Sequence, residues 1–375
     1  MYSVYQHWDP LKVCVVGKSY PPEFYSFIKN SCVRTVMERI AQETEEDYQK
    51  LITLLISFGV EILRPEIASI DYKEYIDKSA RIGPPPMTPR DYTASLGEDF
   101  FIDTSTTKIA IFNNWDNFKS SEWPEKPDDP ELIPDHICQE PCMEEKWKEM
   151  AYANIIDNLK VHKNIKLNQN INTAKMTRIG KDLYFGTSQD RTNDQQHKLR
   201  DRYSEKFPDY RCHVINTDGH ADGTYCPVKP GLIVSLRDIP TYKDTFPDWE
   251  VVYLPNQSWA KVRPFLQLKR KNKGKWWVPG EELNDDFTDF VEGWLNHWVG
   301  YVEETVFDVN MLVIDEKNVV CNNYNKSVFD AFNRHGVTPH VINFRHRYFW
   351  DGGLHCITSD IHREGTMKDY FPERG

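Results

Sequence analysis

No CxxC pair occurs in the 375 residues, and the eight cysteines are scattered at Cys14, Cys32, Cys138, Cys142, Cys212, Cys226, Cys321 and Cys356. Structural zinc needs clustered thiolate and imidazole ligands, so no metal is expected, and the thiols are expected to be reduced and mostly buried, as in a cytoplasmic protein. No long apolar run is present either. The longest, near Leu51 to Val60, is broken by Thr53 and Ser57 and is too short to span a bilayer. The opening residues MYSVYQHWDPLKV have neither a basic nor an apolar leader region, so no signal peptide is expected. Basic charge is also in deficit. With 57 acidic against 46 basic side chains the net charge is −11, which opposes a phosphate backbone and argues against nucleic-acid binding.

Aromatic residues, in contrast, are plentiful. They make up 13% of the chain, including 11 tryptophans, and argue for an ordered core rather than disorder. The organising signal is a repeat of elements. A helical stretch, a turn and a β-rich strand follow one another through Tyr48–Leu63, Trp147–Leu167, His197–Ile215, Phe246–Leu254 and Val328–Ile342. Short apolar runs suited to hairpins precede most of these helices, at Leu183-Tyr-Phe-Gly, Gly231-Leu-Ile-Val, and Met311-Leu-Val-Ile with Asn318-Val-Val-Cys. Five hairpin–helix–strand units can close into a ring around a cavity, each burying its apolar face on its neighbours. A generic α/β sandwich with irregular loops is the alternative pattern.

We expect a single catalytic domain over residues 1–375, with an insertion at about 259–304 that carries the basic run Lys269–Lys275, Trp276 and Trp277, and an aromatic helix near Phe290 to Trp298. It reads either as a solvated loop on a packed helix or as a lid that meets an anionic acceptor. A Pro-rich segment, Gly83 to Pro89, also lies outside the repeating unit.

Two segments carry reactive groups. Gly352-Gly353-Leu-His-Cys356 places a thiol after a glycine pair, which lets other groups approach the chain closely. Such a thiol is a nucleophile if its thiolate is stabilised, and otherwise a small buried hydrophobe. In Asn216-Thr-Asp-Gly-His220-Ala-Asp222, an extended backbone would put His220 and Asp222 on one face, suited to acid–base work, to a metal or to a structural hydrogen bond. Thr88-Pro-Arg-Asp91 adds an acid after a proline-rich turn.

Together these segments resemble the amidinotransferases, in particular the arginine:glycine and inosamine-phosphate enzymes. The resemblance runs along nearly the whole chain: Trp8-Asp-Pro-Leu-Lys-Val as the opening strand, Met87-Thr-Pro-Arg-Asp91, Gly180-Lys-Asp-Leu-Tyr, His220-Ala-Asp222, Leu312-Val-Ile-Asp-Glu-Lys, and Gly352-Gly-Leu-His-Cys356 followed by Asp360 and Arg363. It implies a five-fold pseudo-symmetric α/β propeller of the pentein type. It further implies Cys356 as nucleophile on the guanidinium carbon of arginine, His220 as acid–base, and Asp91 and Asp222 as carboxylates that clasp the guanidinium.

Asn172 falls where the family gives its catalytic histidine an aspartate partner, Arg237 is the candidate for the donor carboxylate, and Asp308 takes the place of a serine. Gly353 is expected to lie against the substrate. The implied activity is transfer of the amidino group to a small primary amine, glycine first, giving guanidinoacetate and ornithine without a cofactor. A homodimer is possible by analogy. A hydrolase of the same superfamily (deiminase or dihydrolase type) and a silent guanidinium-binding protein, which Asn172 favours, stand as alternatives.

Overall fold

The computed structural model describes residues 1–67, 69–76, 82–102, 152–167, 171, 173–187, 191–217, 219–236, 239, 241–254, 276–295, 299, 308–350 and 352–374. Asn172, Arg237, the basic run 269–275 and the Cys138/Cys142 pair lie outside them.

The chain begins with β1 (Leu11–Val16), α1 (Ser31–Ser57) and β2 (Glu61–Leu63). Next come β3 (Thr93–Leu96), β4 (Asp99–Ile102), α2 (Ala153–Leu159) and β5 (Asn164–Leu167). The third unit is β6 (Met176–Ile179), β7 (Asp182–Thr187), α3 (Asn193–Lys206) and β8 (Arg211–Asn216). The fourth is β9 (Tyr225–Lys229), β10 (Leu232–Ser235), α4 (Tyr242–Thr245) and β11 (Glu250–Tyr253). After α5 (Asp285–Trp294), the fifth unit follows as β12 (Leu312–Asp315), β13 (Asn318–Cys321), α6 (Lys326–Arg334) and β14 (Thr338–Val341). A short α7 (Arg347–Trp350) and β15 (Thr358–Arg363) complete it.

Among the described residues five three-stranded sheets result, and four of them are an antiparallel hairpin whose second strand pairs in parallel with a strand returned by the helical crossover. The first sheet is completed from the far end of the chain, with β15 antiparallel to β1. This is the five-fold pseudo-symmetric propeller.

The units form for local reasons. In β3–β4, β6–β7 and β9–β10 the hairpin turn has two residues and places Gly97, Gly180 or Gly231 at positive φ, a conformation that suits the strand twist and that glycine adopts without strain. The β12–β13 turn has Glu316-Lys317 in its place and is braced by Asp315, whose Oδ1 accepts from Lys317 N at 2.7 Å and Asn318 Nδ2 at 2.9 Å. Helix α1 starts on Asn30, whose side chain accepts from Cys32 N and Val33 N. It buries Val33, Met37, Ile40, Tyr48, Leu51 and Leu55, one stripe at helical spacing. Burial also orients each unit. The first hairpin strand is almost wholly buried, whereas β2, β11 and β14 are partly exposed, so the hairpins face the axis and the return strands face the rim.

Between α4 and β12, Trp276, Phe287, Val291 and Leu295 pack into the same core cluster as α1, Phe349 and Trp350. Arg39 pairs with Glu281 at 2.6 Å there. No helix among the described residues is long and apolar enough to cross a membrane.

Three buried guanidiniums converge on Asp360 of β15. Arg90 Nη1 lies 2.9 Å from Oδ1, Arg178 Nη2 2.7 Å from Oδ2, and Arg363 Nε 2.7 Å from Oδ2. Burial opposes ionisation of this carboxyl, but Arg178, Arg90 and Arg363 outweigh it and hold its pKa well below the usual range. Further N–H groups of Arg178 and Arg363 reach Ser95 O (2.6 Å), Asp9 O (2.8 Å) and Val313 O (2.9 Å), so one ion cluster ties together β3, β6, β12, β15 and the N-terminal segment. D360N keeps the shape and strips the countercharge from three buried cations. It is expected to lower stability by about 3–5 kcal/mol, read as a shift of the urea unfolding midpoint. A change below 1 kcal/mol would show that the cluster is not what fastens the sheets.

Candidate active site

Immediately before β15 the chain turns tightly through Gly352–Ile357, closed by Ile357 N to Gly353 O (3.1 Å) and Thr358 N to His355 O (3.2 Å). Arg90 grips this turn from below, donating its Nε–H to His355 O at 2.8 Å and Thr358 O at 2.9 Å. Because Arg90 adjoins Asp91 on the 3-10 turn Pro89–Asp91, the same contact holds that acid and the thiol in fixed relation. Gly353 serves packing inside the protein: a Cβ there would come within 2.7 Å of Asn310 Oδ1.

His220 and Asp222 are not on one extended face as the spacing suggested. Ala221–Gly223 forms a single 3-10 turn with extended His220 ahead of it. The turn swings Asp222 inward, to 7% exposure, and leaves the His220 side chain 37% exposed. The backbone amide of Asp222 is secured on Ala174 O at 3.2 Å.

The structure nonetheless brings the expected groups to one place. Cys356 Sγ donates to Asp222 Oδ2 at 3.5 Å, and His220 Nδ1 is 3.9 Å from Asp91 Oδ1. Cys356 is 9% exposed, at the edge of burial. Desolvation raises the Asp222 pKa to about 6; the charge of Asp91 pushes the same way, whereas His220, Arg90 and the Cys356 hydrogen bond oppose it. Asp222 Oδ1 is buried and has no hydrogen-bond partner among the described residues. A site with two carboxylates and an open oxygen is suited to a flat, nitrogen-rich cation.

Three participants were not singled out by spacing. His355 Nδ1 lies 2.8 Å from Asp222 Oδ2. Burial, reinforced by Arg90, holds His355 well below the usual imidazole pKa, so it is neutral and donates its Nδ1–H. Asn310, just ahead of β12, contacts both Cys356 and Asp222. Arg90 is the third. His355 and Arg90 had a visible signal, their places in the Gly-Gly-x-His-Cys and Thr-Pro-Arg-Asp segments, and Asn310 had none. Asp308 Oδ1 accepts from Asn323 Nδ2 at 2.8 Å. Below the site, a cavity of about 10 Å³, room for about one water, is lined by His7, Thr173, Thr177, Asp222, Tyr225 and His355, among others. No cluster of potential metal ligands occurs among the described residues.

A raised folded-state pKa means that the Asp222 contribution to stability is full below the free value of 3.8 and is lost as pH rises through about 6. D222N removes that dependence. Urea midpoints of wild type and D222N are expected to converge towards pH 4 and to separate above pH 6, the variant being more stable by about 1–3 kcal/mol at pH 7.5. Parallel pH profiles would refute the raised value.

Comparison with known proteins agrees with this architecture. The chain is 22% identical to the mitochondrial glycine amidinotransferase of Xenopus tropicalis over an alignment of 396 residues, covering 98% of this chain and 84% of the relative. It is 20% identical to an L-arginine:L-lysine amidinotransferase of Pseudomonas savastanoi pv. phaseolicola, covering 98% and 96%. Among solved structures, an amidinotransferase of the saxitoxin biosynthetic pathway from Microseira wollei superposes with a TM-score of 0.62 at 17% identity, with 99% of each chain covered. The inosamine-phosphate amidinotransferase of Streptomyces griseus gives 0.60 at 16%, again with 99% of each chain covered. No protein-family model matches the chain. In sequence along nearly its whole length, and in its five-unit fold, the chain is similar to these amidinotransferases.

Proposed function

We propose that this protein is an amidinotransferase that moves the amidino group of arginine to a small primary amine through a covalent intermediate on Cys356. The observation that carries the reading is the contact of the Cys356 sulfur with Asp222 at 3.5 Å, beside a second acid, Asp91, that is itself 3.9 Å from His220. In the free protein the thiol proton faces a carboxylate. A guanidinium placed between Asp91 and Asp222 supplies the positive charge that favours the thiolate, and the thiol proton passes to His220.

Sulfur then attacks the guanidinium carbon, an S–C bond forms, and the C–N bond to the ornithine side chain breaks as His220 delivers a proton to the leaving nitrogen. In the second half-reaction the same imidazole takes a proton from the incoming amine. The amine nitrogen bonds to the amidino carbon, the C–S bond breaks, and the thiolate returns. Asp91, within 4 Å of His220 Nδ1, is placed to support the imidazolium whatever residue 172 contributes.

Glycine is the acceptor we propose first; an amine with a second cationic group is the variant that Asp308 favours. The partly exposed His220 leaves a path for either, while the buried sulfur and Asp222 limit access of bulk water to the intermediate.

Incubation with arginine and glycine is expected to yield ornithine in proportion to the amine supplied. C356S should abolish turnover, and H220A should lower kcat by about 10²- to 10⁴-fold. Citrulline or ammonia formed without amine would move the assignment to a hydrolase. Arginine bound without any product would make the protein a guanidinium-binding one.

A further inference from the structure

Four hydrogen bonds fix the side chain of Asn310, a residue only 4% exposed. Its Oδ1 accepts the backbone N–H groups of His355 at 2.9 Å and of Cys356 at 3.1 Å. Its Nδ2 donates to Asp222 O at 3.3 Å and to Cys356 Sγ at 3.1 Å. An amide has two acceptor sites on oxygen and two donor hydrogens on nitrogen, so every position is filled.

The arrangement also settles which way the amide faces. Both backbone groups are obligatory donors, so only the oxygen can meet them, and the NH₂ group must meet the sulfur. The donor at sulfur is therefore built in, with no alternative rotation that keeps the other bonds. Gly353 is part of the same device, since any Cβ there would collide with Asn310.

We infer that Asn310 is a catalytic residue that holds Cys356 Sγ in place and stabilises its thiolate by a preset N–H donor. This rests on Cys356 being the nucleophile of the proposed reaction. In the resting protein the sulfur accepts from Asn310 on one side and donates its proton to Asp222 on the other. When a guanidinium engages Asp222 and the thiol proton passes to His220, the Asp222 bond is lost and the Asn310 bond strengthens, because its acceptor has become an anion. The same amide grips Asp222 O, so sulfur and carboxylate keep their spacing through the change.

N310D separates anchoring from donation. One carboxylate oxygen can still accept both backbone amides, but the group facing sulfur becomes an acceptor. The readout needs no arginine: the pH dependence of Cys356 alkylation by iodoacetamide, with C356S giving the background from Cys32 and the buried thiols. The alkylation midpoint of N310D is expected to rise by about one pH unit or more, with an unchanged circular dichroism spectrum. N310A, which loses both roles, should show a comparable rise and a lower unfolding temperature, and it serves if N310D does not fold.

Midpoints equal to wild type in the folded variants would overturn the role of Asn310. A raised midpoint in a protein that never turns over arginine would sink the amidinotransferase reading and leave standing only the stabilisation of the Cys356 thiolate by Asn310.

Discussion

Everything at the centre of this protein depends on one carboxylate being shared by three guanidiniums. Asp360 draws Arg90, Arg178 and Arg363 to the axis from different units, and their outward N–H groups then occupy carbonyls on further strands. Burying so many cations against one anion is costly unless every contact is well made. The cluster therefore tolerates little displacement, and the turn that carries Cys356 inherits that rigidity through Arg90.

The charge balance above this cluster has the opposite sign. Asp91 and Asp222 crowd together near Cys356, and burial makes Asp222 reluctant to ionise. Two acids facing a thiol disfavour a free thiolate, whereas an arriving cation changes the sign of the local field. The neutral His355 beneath contributes a hydrogen bond without adding a charge that would compete with such a ligand. In the proposed reaction, selectivity for a cationic guest and reactivity of the sulfur would come from the same pair of carboxylates.

Much of the fold was legible in the sequence, because hairpin turns and amphipathic stripes are local. Met311-Leu-Val-Ile and Asn318-Val-Val-Cys fall on β12 and β13, Cys212-His-Val-Ile falls within β8, and the run from Tyr48 to Leu55 lies on the buried stripe of α1. The site was legible where glycine or an acid sat next to the reactive residue, as at Cys356 and Asp222. It was not legible where function depends on contacts across the ring. Asn310 precedes an unremarkable strand and gains its significance only through Gly353 and Cys356, which lie on a different segment. The turn at Ala221–Gly223 was likewise hidden, since spacing of two is compatible with an extended chain as well as with a single 3-10 turn.

The pairing of β15 with β1 has a consequence for how the molecule comes into being. Ser3 and His362, 359 residues apart in the chain, are hydrogen-bonded neighbours in the folded protein. Contacts of such separation form late, because a very long loop must be closed before they bring any gain. During synthesis the thiol also emerges after the strands of the four other sheets, so a nascent chain can form those sheets before the Cys356 sulfur is present. Sealing the first sheet and bringing the Cys356 thiol against Asp222 are one event, because both depend on β15 and the turn that precedes it.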